Sequence, residues 1–125
     1  MSGAPLVLVA DDDEDILMLV TMRLRRDGWE VVQARDGAQA LEAARERRPV
    51  VAVLDVGMPT LDGLGVVEAL RADPDLAEIR VLLLTAKAQE QDVRRGYEAG
   101  ADAYVKKPFS PAELSARVRE LYAGT

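Results

Sequence analysis

The sequence predicts an α/β fold, in which helices cover both faces of a parallel sheet of five strands. Two observations carry this prediction. Short apolar runs alternate with amphipathic segments along all 125 residues, and such alternation is typical of βαβ units. The first run, Leu6–Ala10, is almost continuously apolar, as a strand buried on both faces requires. We therefore expect a doubly wound sheet.

Two helices and a strand are predicted after Leu6–Ala10 in the first half of the chain. Glu14–Arg26 has apolar residues at helical spacing and stops at Asp27-Gly28. Glu30–Ala34 is a short strand. Ala38–Arg47 is an alanine-rich helix that ends before Pro49.

The middle of the chain supplies the third and fourth strands. Val50–Leu54 is an unbroken apolar run and forms the third strand. Leu64–Arg71 is a helix, closed by Asp73-Pro74. Val81–Leu84 follows as the fourth strand.

The last part of the chain is predicted to hold two helices and a short strand. Glu90–Ala99 is a helix, and Gly100 is its C-cap. Ala103–Val105 is a weak fifth strand. The stretch 110–113 reads as a capping box with proline at the first helical position, and the last helix runs to about Tyr122.

The composition limits the chemistry. The chain has no cysteine and no histidine, which excludes disulfides, thiolate metal sites and a histidine base. The net charge of −6 argues against direct nucleic-acid binding. No apolar run approaches the ~20 residues of a membrane span, and the N-terminus lacks the features of a signal peptide. We expect a cytoplasmic protein that contacts no membrane.

Polar residues follow four of the five predicted strands. Asp11-Asp12-Asp13 follows the first, Asp55 the third, Thr85 the fourth and Lys106-Lys107-Pro108 the fifth. Ligand sites of open parallel sheets lie at the carboxyl ends of the strands. Oxygen ligands without histidine or cysteine suit Mg²⁺ or Mn²⁺. Carboxylates, a hydroxyl and a lysine together suit a carboxylate nucleophile that accepts a phosphoryl group.

Four stretches, "LVLVADDDEDI", "VVAVLDVGMPTLDG", "VLLLTA" and "GADAYVKKPF", resemble the receiver domain of two-component response regulators. The resemblance covers residues 6 to about 122. It implies a flavodoxin-like doubly wound, five-stranded parallel sheet in the order 2-1-3-4-5, with five helices. It also implies that residues 1–125 form a single receiver domain, either standalone or at the N-terminus of a longer regulator.

The resemblance also implies roles for single residues. Asp55 is expected to be the phosphoacceptor. Asp12 would bind Mg²⁺ directly and Asp11 mainly through water, and Gly57 would give the metal its backbone carbonyl. Lys107, rather than Lys106, would carry the catalytic ammonium group.

A switch and a set of partners are implied in the same way. Thr85 is expected to be the switch hydroxyl and Tyr104 the switch aromatic, and the Lys107–Pro108 bond is expected to be cis. The phosphoryl group would come from a partner histidine kinase or histidine phosphotransfer protein. The domain would not be a conventional enzyme, but would catalyse its own Mg²⁺-dependent phosphorylation and dephosphorylation.

Phosphorylation is expected to change the surface formed by the fourth helix, fifth strand and fifth helix (α4-β5-α5). A weak homodimer could form through this face. Ala103 weakens the case for that dimer, because the DNA-binding subfamily often has Asp there. The charged residues predicted on this face are Arg94, Arg95, Asp102, Glu113 and Arg117.

Two other functions fit these residues less well than a receiver. A phosphatase of the haloacid dehalogenase type would need a second Asp two residues after Asp55, where this chain has Gly57. A flavodoxin-like nucleotide binder would need a phosphate loop after the first strand, where Asp11-Asp12-Asp13 would repel phosphate. Three other residues are expected to have structural roles only: Asp13 and Asp62 cap helices, and Trp29 packs away from the site.

Overall fold

The computed structural model describes residues 5–86 and 90–124, of which 90–92 by backbone alone. Strands and helices alternate throughout, as predicted. The strands are β1 (Leu6–Ala10), β2 (Glu30–Ala34), β3 (Val51–Asp55), β4 (Arg80–Thr85) and β5 (Ala103–Lys106). The helices are α1 (Glu14–Arg26), α2 (Gly37–Arg47), α3 (Gly63–Ala72), α4 (Glu90–Ala99) and α5 (Pro111–Ala123).

The five strands form one parallel sheet in the order β2-β1-β3-β4-β5. This confirms the fold class and the strand order. Because all strands run in one direction, their carboxyl ends meet at the same edge of the sheet. That edge receives the residues after β1, β3, β4 and β5.

The two faces of the sheet bury separate hydrophobic clusters. Val53 and Leu82 face α1 and α5, whose Leu17 and Leu114 belong to the same cluster. Alternate residues such as Leu54 and Leu83 face the other way, onto α2 and α3. Successive side chains of a strand point to opposite faces, so a strand covered on both faces must be apolar throughout. This is the physical reason why the strands read as continuous apolar runs.

One predicted boundary was wrong in a way that bears on the site. The third strand was predicted to end at Leu54, but it extends to Asp55, which pairs with Leu84 of β4. Strand propensity counts against an aspartate, and the ladder to the neighbouring strand overrides it. The acceptor candidate is therefore held by the sheet itself.

Helix caps and aromatic packing follow the sequence predictions. Asp13 accepts hydrogen bonds from the first turn of α1, and Asp62 accepts one from Gly65 in α3. Trp29 packs edge-on against Tyr122, with ring centroids 5.3 Å apart, at the opposite end of the sheet. Within the described part of the chain, every helix is too short or too polar to cross a bilayer.

Candidate functional site

Three carboxylates converge at the carboxyl edge of the sheet. One oxygen each of Asp11, Asp12 and Asp55 lies within 4.8 Å of the others. Asp11 follows β1 and Asp55 ends β3, and these strands are neighbours, so the topology alone brings the two together. Asp11 is completely buried, Asp55 is 5% exposed and Asp12 is exposed.

The spacing of these oxygens fits a small metal ion. Two oxygens bound to Mg²⁺ at about 2.1 Å can be at most ~4.2 Å apart. The three oxygens lie within 4.8 Å of one another, so a small inward movement, or a water between one carboxylate and the ion, would be enough to complete such a site. Hard oxygen ligands with one exposed member suit an ion that keeps part of its hydration shell. The trio could hold a metal.

Lys107 is the cation that the structure places beside these acids. Its Nζ lies 3.2 Å from Oδ1 of Asp55 and 3.2 Å from Oδ2 of Asp11. Only the bond to Asp55 has good hydrogen-bond geometry, and Oδ2 of Asp11 receives no well-aligned hydrogen bond within the described chain. The contact to Asp11 is thus chiefly electrostatic, and it holds Lys107 between the two carboxylates.

The backbone of β5 explains why Lys107, and not Lys106, reaches the acids. Lys107 N–H donates to the Thr85 carbonyl at 2.7 Å, which fixes Lys107 against the end of β4. The Lys107–Pro108 bond is cis, as the resemblance implied. Lys106, one position earlier, has an exposed side chain.

The positive charge of Lys107 does not fully compensate the negative charge of these acids. Burial, followed by the charge of Asp11, raises the pKa of Asp55 to about 6, although Lys107 and the Gly57 N–H pull it down. Burial also lowers the pKa of Lys107, but Asp55 and Asp11 outweigh this, and the net direction is upward. Lys107 therefore stays charged, and a further cation or a proton would relieve the remaining repulsion.

The Asp11-Asp12-Asp13 run divides into three different roles. Oδ1 of Asp11 accepts a hydrogen bond from the Asp13 N–H at 2.9 Å, which orients Asp11 into the site. Asp13 turns outward and caps α1 through Asp15 N–H and Ile16 N–H. Asp12 is left as the exposed carboxylate of the trio. The sequence alone indicated that these acids form a cluster, and the local hydrogen bonds show which role each acid takes.

Thr85 and Tyr104 lie on the same face of the sheet. Tyr104 pairs with Leu83, two residues before Thr85 on the neighbouring strand, so the two side chains are diagonal neighbours. Thr85 is buried, and its Oγ1 has no hydrogen-bond partner in the part of the chain that the structure describes. An unpaired buried hydroxyl is costly. It is therefore a donor available to a new acceptor at this edge.

Two glycines shape the turn after Asp55. The Gly57 N–H lies near enough to the Asp55 carboxylate to lower its pKa. Gly63 begins α3 directly against the backbone of Asp55. A Cβ there would lie 2.6 Å from the Asp55 carbonyl oxygen. In the sequence this position is visible only as a glycine directly after the helix cap Asp62. The close approach to the Asp55 backbone explains why the residue is a glycine.

Asp102 was predicted to be one of the charged residues of the α4-β5-α5 surface, but its carboxylate is engaged within the protein. Its carboxylate accepts hydrogen bonds from the Val81 N–H at 2.8 Å and from Arg71 at 3.0 Å, and it lies 3.4 Å from Arg80. Arg71 also donates to the Gly100 carbonyl. Asp102 thus joins α3, β4 and the α4–β5 connection.

A cavity of about 590 Å³ opens near the amino ends of the strands, opposite the carboxyl edge. Its charged lining is mostly engaged within the protein: Arg71 and Arg80 bond Asp102, and Arg48 lies 3.8 Å from Asp75. Val50, just before β3, and Arg80, the first residue of β4, border it, so it is far from Asp55 and Thr85, which end these strands. The buried Nε of Arg80 is unpaired on this side of the described structure, but the three converging carboxylates and the unpaired Thr85 hydroxyl lie at the carboxyl edge, and we place the functional site there.

Comparison with known proteins identifies the family of this chain. Residues 7–119 match the family model described as the response regulator receiver domain. The chain therefore belongs to the receiver domain family of two-component response regulators. It is similar to the transcriptional regulatory protein PrrA of Mycobacterium tuberculosis, with 50% identity over 118 residues. That alignment covers 94% of this chain and 50% of PrrA.

Solved receiver structures share the fold. A putative response regulator from Chloroflexus aurantiacus has a TM-score of 0.91 at 33% identity, covering 96% of this chain and 98% of that one. The chemotaxis protein CheY4 of Vibrio cholerae has a TM-score of 0.89 at 31% identity, covering 95% and 99%. The chain spans about half the length of the curated relatives it matches.

Proposed function

We propose that this chain is a phosphorylation-activated signalling receiver whose phosphoacceptor is Asp55. The convergence of Asp55 with Asp11, Asp12 and Lys107 is the observation that carries the proposal. A phosphoryl group is anionic, and so is its attacking carboxylate, so the reaction needs cations placed between them. This edge of the sheet supplies one ammonium group and a set of ligands for one metal ion.

The chemistry is the transfer of a phosphoryl group from a phosphohistidine of a partner kinase or phosphotransfer protein. The P–N bond breaks as a P–O bond forms to an Asp55 carboxylate oxygen, and the imidazole leaves with the electron pair and takes up a proton. These 125 residues contain no histidine, so the phosphohistidine donor lies outside them. Asp12, Asp55 and the Gly57 carbonyl would hold Mg²⁺, or Mn²⁺, with Asp11 acting mainly through water. When bound, the ion neutralises charge on the phosphoryl oxygens.

The chain's own side chains orient the transferred group. Lys107 contacts Asp55 before the reaction and is within reach of a phosphoryl oxygen afterwards. The unpaired Thr85 hydroxyl donates to another oxygen. The domain thus catalyses its own phosphorylation, and later its own dephosphorylation by water, without being a conventional enzyme.

The output is a change of the α4-β5-α5 surface. A phosphoryl group adds ~1.5–2 negative charges, which draws Thr85 toward Asp55 and leaves space that the Tyr104 ring enters. We propose that residues 1–125 act as one cytoplasmic receiver unit, standalone or N-terminal in a longer regulator. Its net charge of −6 makes direct nucleic-acid binding by this unit unfavourable.

Activation would also promote a weak homodimer, or a contact with another protein, through the same face. Exposed ion pairs add little free energy and are screened by salt, so the association should be modest and salt-sensitive. Sedimentation with and without beryllofluoride, at low and high salt, tests this part. A monomer under all conditions would leave only the contact with another protein, and a shift that survives in Thr85→Ala would disprove the coupling of Thr85 to Tyr104.

The central test is intact-mass measurement after incubation with acetyl phosphate or carbamoyl phosphate and Mg²⁺. The wild type should gain one phosphoryl group, and Asp55→Asn should gain none. Asp75→Asn is the matched control, because Asp75 is an exposed carboxylate at the opposite edge of the sheet. Equal labelling of the wild type and Asp55→Asn would disprove the assignment.

A further inference from the structure

We propose that Tyr97 of α4 is a second aromatic residue of the switch, which holds Tyr104 in its half-exposed position while the receiver is unphosphorylated. The inference rests on the proposed function, since it assumes that Tyr104 responds to the state of Asp55. Tyr97 is then a positioning residue. It acts through Tyr104 and does not touch the reacting atoms.

The two rings form a direct contact across α4 and β5. Their centroids are 5.9 Å apart and their planes cross at 80°, which is the edge-to-face arrangement that aromatic pairs favour. Tyr104 is half-buried, whereas Tyr97 is 45% exposed. The Tyr97 ring therefore lies on the solvent side of the pair, where core packing does not require an aromatic residue.

The packing of α4 on β4 explains how Tyr97 comes to stand beside Tyr104. A Cβ at Gly96 would lie 2.4 Å from Leu83 Cδ1, so the helix backbone sits directly on the Leu83 side chain. Leu83 is also the strand partner of Tyr104. The next residue of the helix, Tyr97, is thereby carried to the same level of the sheet as Tyr104.

Tyr104 has a second place to go on the same face. Its diagonal neighbour is Thr85, a buried residue whose Oγ1 is unpaired within the described chain. Movement of Thr85 toward a phosphoryl group would open space there for the Tyr104 ring. The ring then either stays against Tyr97 or packs over the vacated site. The Tyr97 contact favours the first position and therefore the resting state.

Loss of this contact should change the relative populations of the two Tyr104 positions, without creating or abolishing either position. Aromatic pairs of this geometry change equilibria by roughly 2- to 10-fold beyond what burial accounts for. If the resting state predominates, the apparent affinity for a phosphoryl mimic rises by the same factor when the resting state loses that stabilisation.

The experiment titrates beryllofluoride, in the presence of Mg²⁺, into protein labelled with 3-fluorotyrosine. The chain has three tyrosines, so ¹⁹F spectra contain three tyrosine resonances beside those of beryllofluoride and fluoride, and single Tyr→Phe variants assign them. Tyr97→Leu should displace the Tyr104 resonance in the free protein and bind beryllofluoride roughly 2- to 10-fold more tightly. Tyr97→Phe keeps the ring and should bind like the wild type.

Tyr122→Leu is the matched control, since it removes an edge-to-face contact of the same kind, with Trp29, far from the site. It should leave the beryllofluoride affinity unchanged. A Tyr97→Leu variant that binds beryllofluoride with the wild-type affinity would overturn this inference alone. A Tyr97→Phe variant that behaves like Tyr97→Leu would do the same. A wild type that fails to bind beryllofluoride would overturn the proposed function, and this inference with it.

Discussion

Lys107 and Asp55 form an ion pair at the carboxyl edge of the sheet, with Nζ 3.2 Å from Oδ1. The two residues are 52 positions apart in the chain, and β4 separates their strands. The pair stands at the point where a transferred phosphoryl group would be attached. One lysine can therefore compensate the carboxylate before the reaction and the phosphoryl oxygens after it.

Removing this lysine should uncouple phosphorylation from signalling. Lys107→Ala leaves the carboxylates intact, so labelling by a small phosphodonor should slow but persist. The fluorinated Tyr104 resonance should then fail to shift when the acceptor is labelled. Lys106→Ala is the control, because that exposed neighbour should be dispensable for both readouts. Finding the larger defect in Lys106→Ala would transfer the role to that residue.

Asp55 should destabilise the metal-free protein at neutral pH. Its pKa in the fold is about 6, against an ordinary 3.8, chiefly because it is buried. The pKa of this carboxyl is higher in the folded than in the unfolded state. Its contribution to stability is therefore complete at pH values below the unfolded pKa, and it is lost as the pH rises through about 6. The difference of about 2 pH units corresponds to ~3 kcal/mol at most.

Asp55→Asn should therefore raise the free energy of unfolding at pH 8 by roughly 1–3 kcal/mol, with a much smaller effect near pH 4. Urea denaturation in EDTA at both pH values measures this. Asp75→Asn, which replaces an exposed acid, should show little change at either pH. A gain that is the same at pH 4 and pH 8 would contradict the assignment of the effect to ionisation.

Metal binding should depend on the exposed member of the trio. Asp12→Ala removes one of the three converging carboxylates, so calorimetric titration with Mg²⁺ should show a loss of at least about 10-fold in affinity. Labelling by phosphodonors should fail at the same time. Asp15→Asn, which replaces an acid in the first turn of α1, should keep both properties. An unchanged Mg²⁺ titration in Asp12→Ala would rule out the site.

Gly63 should be intolerant of even a methyl group. The Cβ of Gly63→Ala would meet the Asp55 carbonyl oxygen at 2.6 Å and backbone atoms of Asp55 and Val56 at 3.1 Å. Backbone cannot give way as a flexible side chain can, so we expect a loss of ~1–3 kcal/mol in stability and slower phosphorylation. Gly124→Ala, whose Cβ would find only ordinary contacts at 3.5 Å, should be neutral. Chemical denaturation and labelling rates compare the two.

Most of the fold was predictable because each strand is apolar on both sides. The apolar runs located all five strands and the amphipathic segments all five helices. The misplaced end of β3 has a tertiary cause, since Asp55 extends the strand only by pairing with Leu84. The ion pairing of Asp102 was missed for the same reason. Its partners Arg71 and Arg80 lie 31 and 22 positions away, where no local pattern points to them.

The sequence by itself determined which chemistry is available and where along the chain it stands. It has acids after two strands, a hydroxyl at the end of a third and a lysine after a fourth, with no histidine or cysteine. Only the tertiary structure decided which acid is buried, which remains exposed, that Lys107 lies between Asp11 and Asp55, and that Tyr97 contacts Tyr104. Burial and distance set the energy of charged and aromatic contacts, and both arise only when the strands are side by side.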